Sequence, residues 1–414
     1  MFMPGRPAGR PRLRFAALLV VSATTSAVGC DPGSGQPGAG APIELGQFAG
    51  GPGGGDGPGA AGLNAVPAGA GPTAPAHALD ERPALTTFGL DSARLADALR
   101  QAATLPRLHN MIVARHGEVV AERNFRGPGL DQPANVKSAS KSILSALIGI
   151  AVAEGHLAGV EEPVAPFFAR QMGADIDPER AAITVGHLLS MRSGLESTSG
   201  SNYGRWVTSG DWVRHAITRP LQAPPGTQMT YSTGNTHLLS AILTQATGQS
   251  TLEYARSRLA APLGIQLPPW PRDPQGIFFG GNDMLISPRG LLRFGEMYRN
   301  GGVFDGRRVL SEQWVRSSWE VLSRSLRGGG SRNNRNQYGL GWWGRESNGH
   351  SVRFAWGYGG QFLFVVPALE LSVVFTSDPY SQREGPHNQE LHRLIDDFLV
   401  PAALAGGRTA LPGN

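Results

Sequence analysis

Lysine is nearly missing from this chain. Among 414 residues it occurs only at Lys137 and Lys141, and every other basic residue is arginine. Arginine fills most surface and ion-pair roles but does not give up its proton near neutral pH. The scarcity therefore marks the segment Lys137-Ser138-Ala139-Ser140-Lys141 as the place where a deprotonable amine is needed. Cysteine is rarer still. Cys30 stands alone, which excludes an intramolecular disulfide even in a compartment that permits one, so the fold must rest on its apolar core. No paired-cysteine set and no His-Glu-x-x-His occur, so neither a metal site nor a cofactor is implied. A Gly-x-Ser-x-Gly elbow is also absent, which counts against an α/β-hydrolase. Charge excess is small. The formal +5 includes four arginines before residue 15, and the remaining +1 implies no nucleic-acid surface.

The N-terminus carries the pattern of an export signal. Arg6, Arg10, Arg12 and Arg14 precede the apolar stretch Phe15 to Val28, which is short for a bilayer span and diluted by hydroxyl residues. It ends in Ala27-Val28-Gly29-Cys30, which resembles a bacterial lipobox with Cys30 as the lipidated residue. Residues 1–29 are then a lipoprotein signal, and the protein is expected to be exported and lipid-anchored in the cell envelope. Residues 30–80 read as a flexible tether: 15 glycines and 8 prolines fall between positions 31 and 80, too few apolar side chains to offset ordering entropy. The folded domain is expected at 81–406, followed by a disordered tail at 407–414. More than 300 residues suggests two lobes.

Within the domain, Asp91 can cap a helix reaching Ala103. Two strands, Met111 to Ala114 and Val119 to Phe125, flank a His116-Gly117 turn. The helix beginning near Ser138 is apolar on most faces, hence central and buried, and it sets Ser138 and Lys141 one turn apart on one face. Further helices are expected at 237–247, 287–301, 311–320 and 388–399, and strands at 362–366 and 371–375. Strands at both ends with helices between them predict an α+β architecture whose sheet is built from both termini around an inserted helical lobe.

Several blocks resemble one family. Ser138-x-x-Lys141, Ile183-Thr184-Val185-x-His187-Leu188-Leu189, Ser193-Gly194-Leu195, Tyr231-Ser232-Thr233, Pro262-Leu263-Gly264-Ile265 and Gly357-Tyr358-Gly359-Gly360-Gln361 look like the class C β-lactamase-related serine hydrolases. That family includes β-lactamases, penicillin-binding peptidases, carboxylesterases and 6-aminohexanoate-dimer hydrolases. The resemblance spans roughly residues 85–400 and implies a β-lactamase/transpeptidase-like fold, an antiparallel sheet flanked by helices. It also implies Ser138 as nucleophile, Lys141 as base, Tyr231 as proton shuttle, and the N–H groups of Ser138 and Gln361 as oxyanion donors. In residue terms this is consistent: a serine hydroxyl is a poor nucleophile until a base takes its proton, and burial disfavours an ammonium.

The chain departs from the family pattern twice. Thr233 stands at the position of an asparagine, and Asn235 either reaches the site or caps the following helix. In the third motif, where relatives carry lysine or histidine, this chain has Tyr358, with Gly359 and Gly360 suited to an edge strand that a substrate approaches. Loss of that cation argues against β-lactams and towards neutral esters or amides, unless Arg353 supplies the charge. Trp356 is core or cleft wall, Lys137 structural or rim, and His187 structural. The partner expected is a small ester or amide substrate. The rivals are a β-lactamase or penicillin-binding peptidase using the same residues, and a non-catalytic binding lipoprotein.

Overall fold

The computed structural model describes residues 88–325, 336–380 and 384–406. The signal, Cys30, the tether, the start of the expected domain and the tail at 407–414 lie outside the described residues.

An eight-stranded antiparallel sheet organises the domain. Its strands are β1 (Leu108–Arg115), β2 (Glu118–Asn124), β3 (Ser323–Ser325), β4 (Asn336–Tyr338), β5 (Trp343–Ser347), β6 (His350–Gly357), β7 (Gln361–Val366) and β8 (Leu371–Ser377). Their spatial order is β2-β1-β8-β7-β6-β5-β4-β3. The N-terminal hairpin therefore joins the C-terminal meander through the β1–β8 ladder, from Leu108 opposite Ser377 to Arg115 opposite Leu371. The sheet is built from both ends of the domain, as the order of elements predicts.

Alternation along the strands fills a core on each face. Ile112 and Ala114 of β1 join Leu363 and Val374 in a core shared with the helical insertion. Met111 and Val113 join Phe354, Phe364 and Phe375 in a second core. That second core is covered by α1 (Ser92–Ala103) and the C-terminal helical run from 384 to 406. Asp91 caps α1 by accepting from Arg94 N–H, satisfying an end donor that has no partner inside the helix.

The insertion centres on α2 (Ser140–Ala153), whose residues from Ser140 through Ala151 are all buried. A helix without a polar face can be accommodated only inside the protein. Around it lie α3 (Thr233–Thr247), α4 (Pro288–Arg299) and α5 (Glu312–Trp319); the last two are capped by Ser287 and Ser311. Helix α3 starts one turn earlier than its apolar spacing indicates, at Thr233 with Ser232 as N-cap.

Candidate active site

Residues Lys137–Ala139 form a single tight turn leading into α2. Lys137 has φ +48, a left-handed conformation that costs a non-glycine residue about 1–3 kcal/mol and persists only where the surroundings hold it. Here they do. Its N–H donates to Asn135 Oδ1 at 2.9 Å, and its Nζ pairs with Asp283 Oδ1 at 2.8 Å. Asn135 Nδ2 donates to the same carboxylate oxygen at 2.9 Å. Lys137 Nζ also lies 4.9 Å from the ring centre of Tyr380, an exposed aromatic. The bend brings Ser138 to the start of the helix, where N–H groups lack intrahelical acceptors.

Lys141 is 2% exposed, and its ammonium nitrogen has three partners. Nζ donates to Ser138 Oγ at 3.0 Å, to Thr233 Oγ1 at 3.3 Å and to the Gly281 carbonyl at 2.6 Å. Burial lowers its pKa to about 7, with the nearby Asp283 carboxylate pulling the other way. Gly281 makes the close approach possible: at φ +75, a Cβ there would lie 2.7 Å from Lys141 Cγ and 2.4 Å from Thr236 Oγ1. Only glycine leaves room for that carbonyl.

Tyr231 completes the cluster. Lys141 Nζ sits 5.2 Å from its ring centre. The ring is stacked on Trp343 at 5.7 Å and meets Tyr338 edge-on at 6.3 Å. Its carbonyl accepts from Ser197 Oγ at 2.7 Å, which ties the segment before α3 to the Ser193–Ser199 loop. Asn235 is not the cap of α3. It is buried inside the first turn, where its Oδ1 accepts from Ser193 Oγ at 3.1 Å, while Thr233 takes the place beside Lys141.

The expectation of an edge strand at the Gly357–Gln361 hairpin does not hold, because β6 and β7 are interior strands. Gly357 is the residue against the nucleophile turn; a Cβ there would lie 2.1 Å from the Val136 carbonyl oxygen and 3.1 Å from Ala139 N. Gly359 and Gly360 are buried. Side chains there would collide with Asp378 and with His387, respectively. Gln361 pairs across from Gly357, and its side chain is committed: Nε2 donates to the Ser377 carbonyl at 2.8 Å and Oε1 accepts from Ser377 N–H at 3.1 Å. Its backbone alone is left for the role the resemblance implies. Tyr358, half-buried, follows Gly357 at the corner.

Trp356 points to the opposite face of β6 from Gly357, where it stacks on Phe362 and packs on Trp343 in the second core. Arg353 lies four residues back along β6, roughly 13 Å from Gly357 at strand spacing, and donates to Gln337. It does not replace the missing cation at the corner. His187 belongs to a capping box: Thr184 N–H donates to its Nδ1, and Thr184 Oγ1 accepts from its N–H. Sequence reasoning passed over Gly281 and Asp283 and took Thr233 only as a departure. Gly280-Gly281-Asn282-Asp283 signals a turn, but nothing in its spelling shows that it folds over Lys141. Among the described residues no group of three His, Cys, Asp or Glu side chains is placed to hold a metal.

Known proteins resemble this chain in sequence and fold. The 6-aminohexanoate-dimer hydrolase of Paenarthrobacter ureafaciens is 26% identical over 309 residues, covering 71% of this chain and 77% of that protein. The octameric penicillin-binding protein homologue from Pyrococcus abyssi has the same fold with a TM-score of 0.57 at 18% identity, over 73% of this chain and 76% of that one. EstCE1, a hydrolase with promiscuous acyltransferase activity, gives a TM-score of 0.60 at 18% identity, over 75% and 99%. The family model described as Beta-lactamase matches residues 109–397. With that match and an antiparallel sheet closed around an inserted helical lobe, the chain belongs to the β-lactamase-fold family of serine hydrolases.

Proposed function

We propose that this protein hydrolyses an ester or amide through an acyl-enzyme on Ser138. One observation carries the reading: the buried amine of Lys141, with a pKa lowered to about 7, lies 3.0 Å from Ser138 Oγ. A base poised near neutrality and within bonding reach is what activates a serine hydroxyl. Lys141 takes the Ser138 proton as Oγ adds to the substrate carbonyl. The oxyanion rests on Ser138 N–H and on a backbone N–H of the Gly357–Gln361 hairpin, the Gln361 N–H by resemblance. Tyr231, beside Lys141, passes a proton to the leaving group, and water then releases the acyl group.

Substrates without a carboxylate beside the scissile bond fit best. The third motif supplies no cation, and Lys137 is already neutralised by Asp283. The relative named for the 6-aminohexanoate dimer makes amides reasonable candidates beside esters. We read the N-terminus as an export signal with lipidation at Cys30, which places the enzyme on the cell envelope. The test is mass spectrometry of the protein after exposure to a fluorophosphonate, a 4-nitrophenyl ester, an anilide and a cephalosporin. An adduct on Ser138 with ester or anilide turnover supports the proposal. Faster cephalosporin turnover, or no adduct at all, overturns it.

A further inference from the structure

Lys141 is sealed from solvent, and each of its three bonds has a different fate during a reaction. The Gly281 carbonyl only accepts and passes no proton on. Ser138 Oγ is consumed by the acyl group for half of the cycle. Thr233 Oγ1 is the remaining contact, and it leads outward: it lies 3.1 Å from Ser199 Oγ. Ser199 Oγ also accepts from Thr233 N–H at 2.9 Å. Ser199 is half-buried, and the next residue, Gly200, is exposed.

We infer that Thr233 and Ser199 form a hydroxyl relay that exchanges protons between Lys141 and bulk water. The relay rests on the acyl-enzyme reading above. Nζ donates to Thr233 Oγ1, and either hydroxyl of the Thr233–Ser199 pair can be the donor; with Thr233 donating, the Ser199 hydroxyl is left to donate to water. When Nζ gives a proton to Thr233 Oγ1, that oxygen passes its own to Ser199, and Ser199 releases its own to solvent. One proton leaves Lys141, one enters the water, and both hydroxyls are restored. The reverse sequence reloads the amine. An asparagine amide in the same place would hold Lys141 without conducting.

The groups facing Lys141 are few. Asp283 supplies the nearby negative charge, itself paired with Lys137, and Tyr231 presents its ring. Thr233 and Ser199 act through Lys141 in this relay, so the diagnostic readout must report proton movement.

The test compares Thr233→Val, Thr233→Ser, Ser199→Ala and the wild type with 4-nitrophenyl acetate, recording pH profiles and rates in mixtures of light and heavy water. Thr233→Val is expected to lower kcat at least about tenfold with KM nearly unchanged. Thr233→Ser should restore it. The wild type should show a curved dependence on deuterium fraction, and Ser199→Ala a flatter one. Unchanged kcat and unchanged curvature in Thr233→Val would overturn the relay, as would failure of Thr233→Ser to rescue. Fluorophosphonate labelling of the wild type separates the two ideas. If Ser138 labels and turns over while the hydroxyl variants behave normally, only the relay falls; if Ser138 never labels, the acyl-enzyme reading falls with it.

Discussion

Lys137 and Asp283 both hold left-handed backbone, at φ +48 and +54, and they are bound to each other at 2.8 Å. One precedes the nucleophile; the other follows the carbonyl that anchors the base. Two strained corners thus brace each other across the reacting pair, and with Asn135 they leave little freedom for the turn.

Replacing the charge of that brace should be visible in the pH profile. Asp283 favours the ammonium form of Lys141, so Asp283→Asn removes a negative charge that raises its pKa. The acidic limb of kcat/KM should move to lower pH relative to wild type. A limb that stays in place or moves upward would show that Asp283 does not act on this amine.

Lys141 carries a second signature. Its folded pKa of about 7 lies below the ordinary 10.5, so between these values the unfolded chain binds more protons than the folded one. Stability should therefore rise with pH across that window, and the cost of burying the charged ammonium should be felt fully below about pH 7. Lys141→Met should lower turnover by about 10²–10⁴-fold. It should also flatten the pH dependence of melting temperature between 7 and 10.5. Melts that stay parallel in wild type and variant would count against a neutral buried lysine.

Tyr231→Phe distinguishes leaving groups. Nitrophenolate departs without a proton, whereas an amine must be protonated. The variant should lose about 10²-fold or more on an anilide and much less on a nitrophenyl ester. Equal losses on both would assign Tyr231 to positioning by its ring and not to proton transfer.

Gly357→Ala tests the contact between β6 and the nucleophile turn. The added methyl has the Val136 carbonyl oxygen at 2.1 Å, so backbone must move. A loss of about 1–3 kcal/mol in stability is expected, together with a fall in kcat at temperatures where the variant is still folded. Full activity in a folded Gly357→Ala protein would mean that the corner is not coupled to Ser138.

Cys30→Ser should release the protein from the membrane fraction and abolish metabolic labelling by an alkynyl fatty acid. Retention of either in the variant would refute lipidation at that residue.

Much of the framework could be read from residue order. The Ser138 helix, the His116-Gly117 turn and the caps Asp91, Ser287 and Ser311 rest on local chemistry, and each is found where that chemistry places it. The hairpin of β5 and β6 was equally local, since Asn348-Gly349 supplies two positive φ values at its turn, yet it was not among the strands expected. The partners of Lys141 other than Ser138 were not legible in this way. Thr233 and Gly281 come from segments far apart in the chain, and only packing brings them to one amine. Of the two readings of Asn235, the cap fails for a related reason: the helix begins at Thr233, so the residue falls inside the first turn and its bond goes to Ser193.

The ladder between β1 and β8 joins the two extremes of the domain. Contacts of such long separation close slowly, because chain entropy must be overcome before any pairing is rewarded. Until β8 arrives, β1 presents a bare edge, the kind of surface that invites association between unfinished chains. Gly357, which presses on the nucleophile turn, belongs to the same late-closing meander. On refolding, catalytic competence should therefore lag behind the recovery of helical signal, appearing only when the last strand has docked.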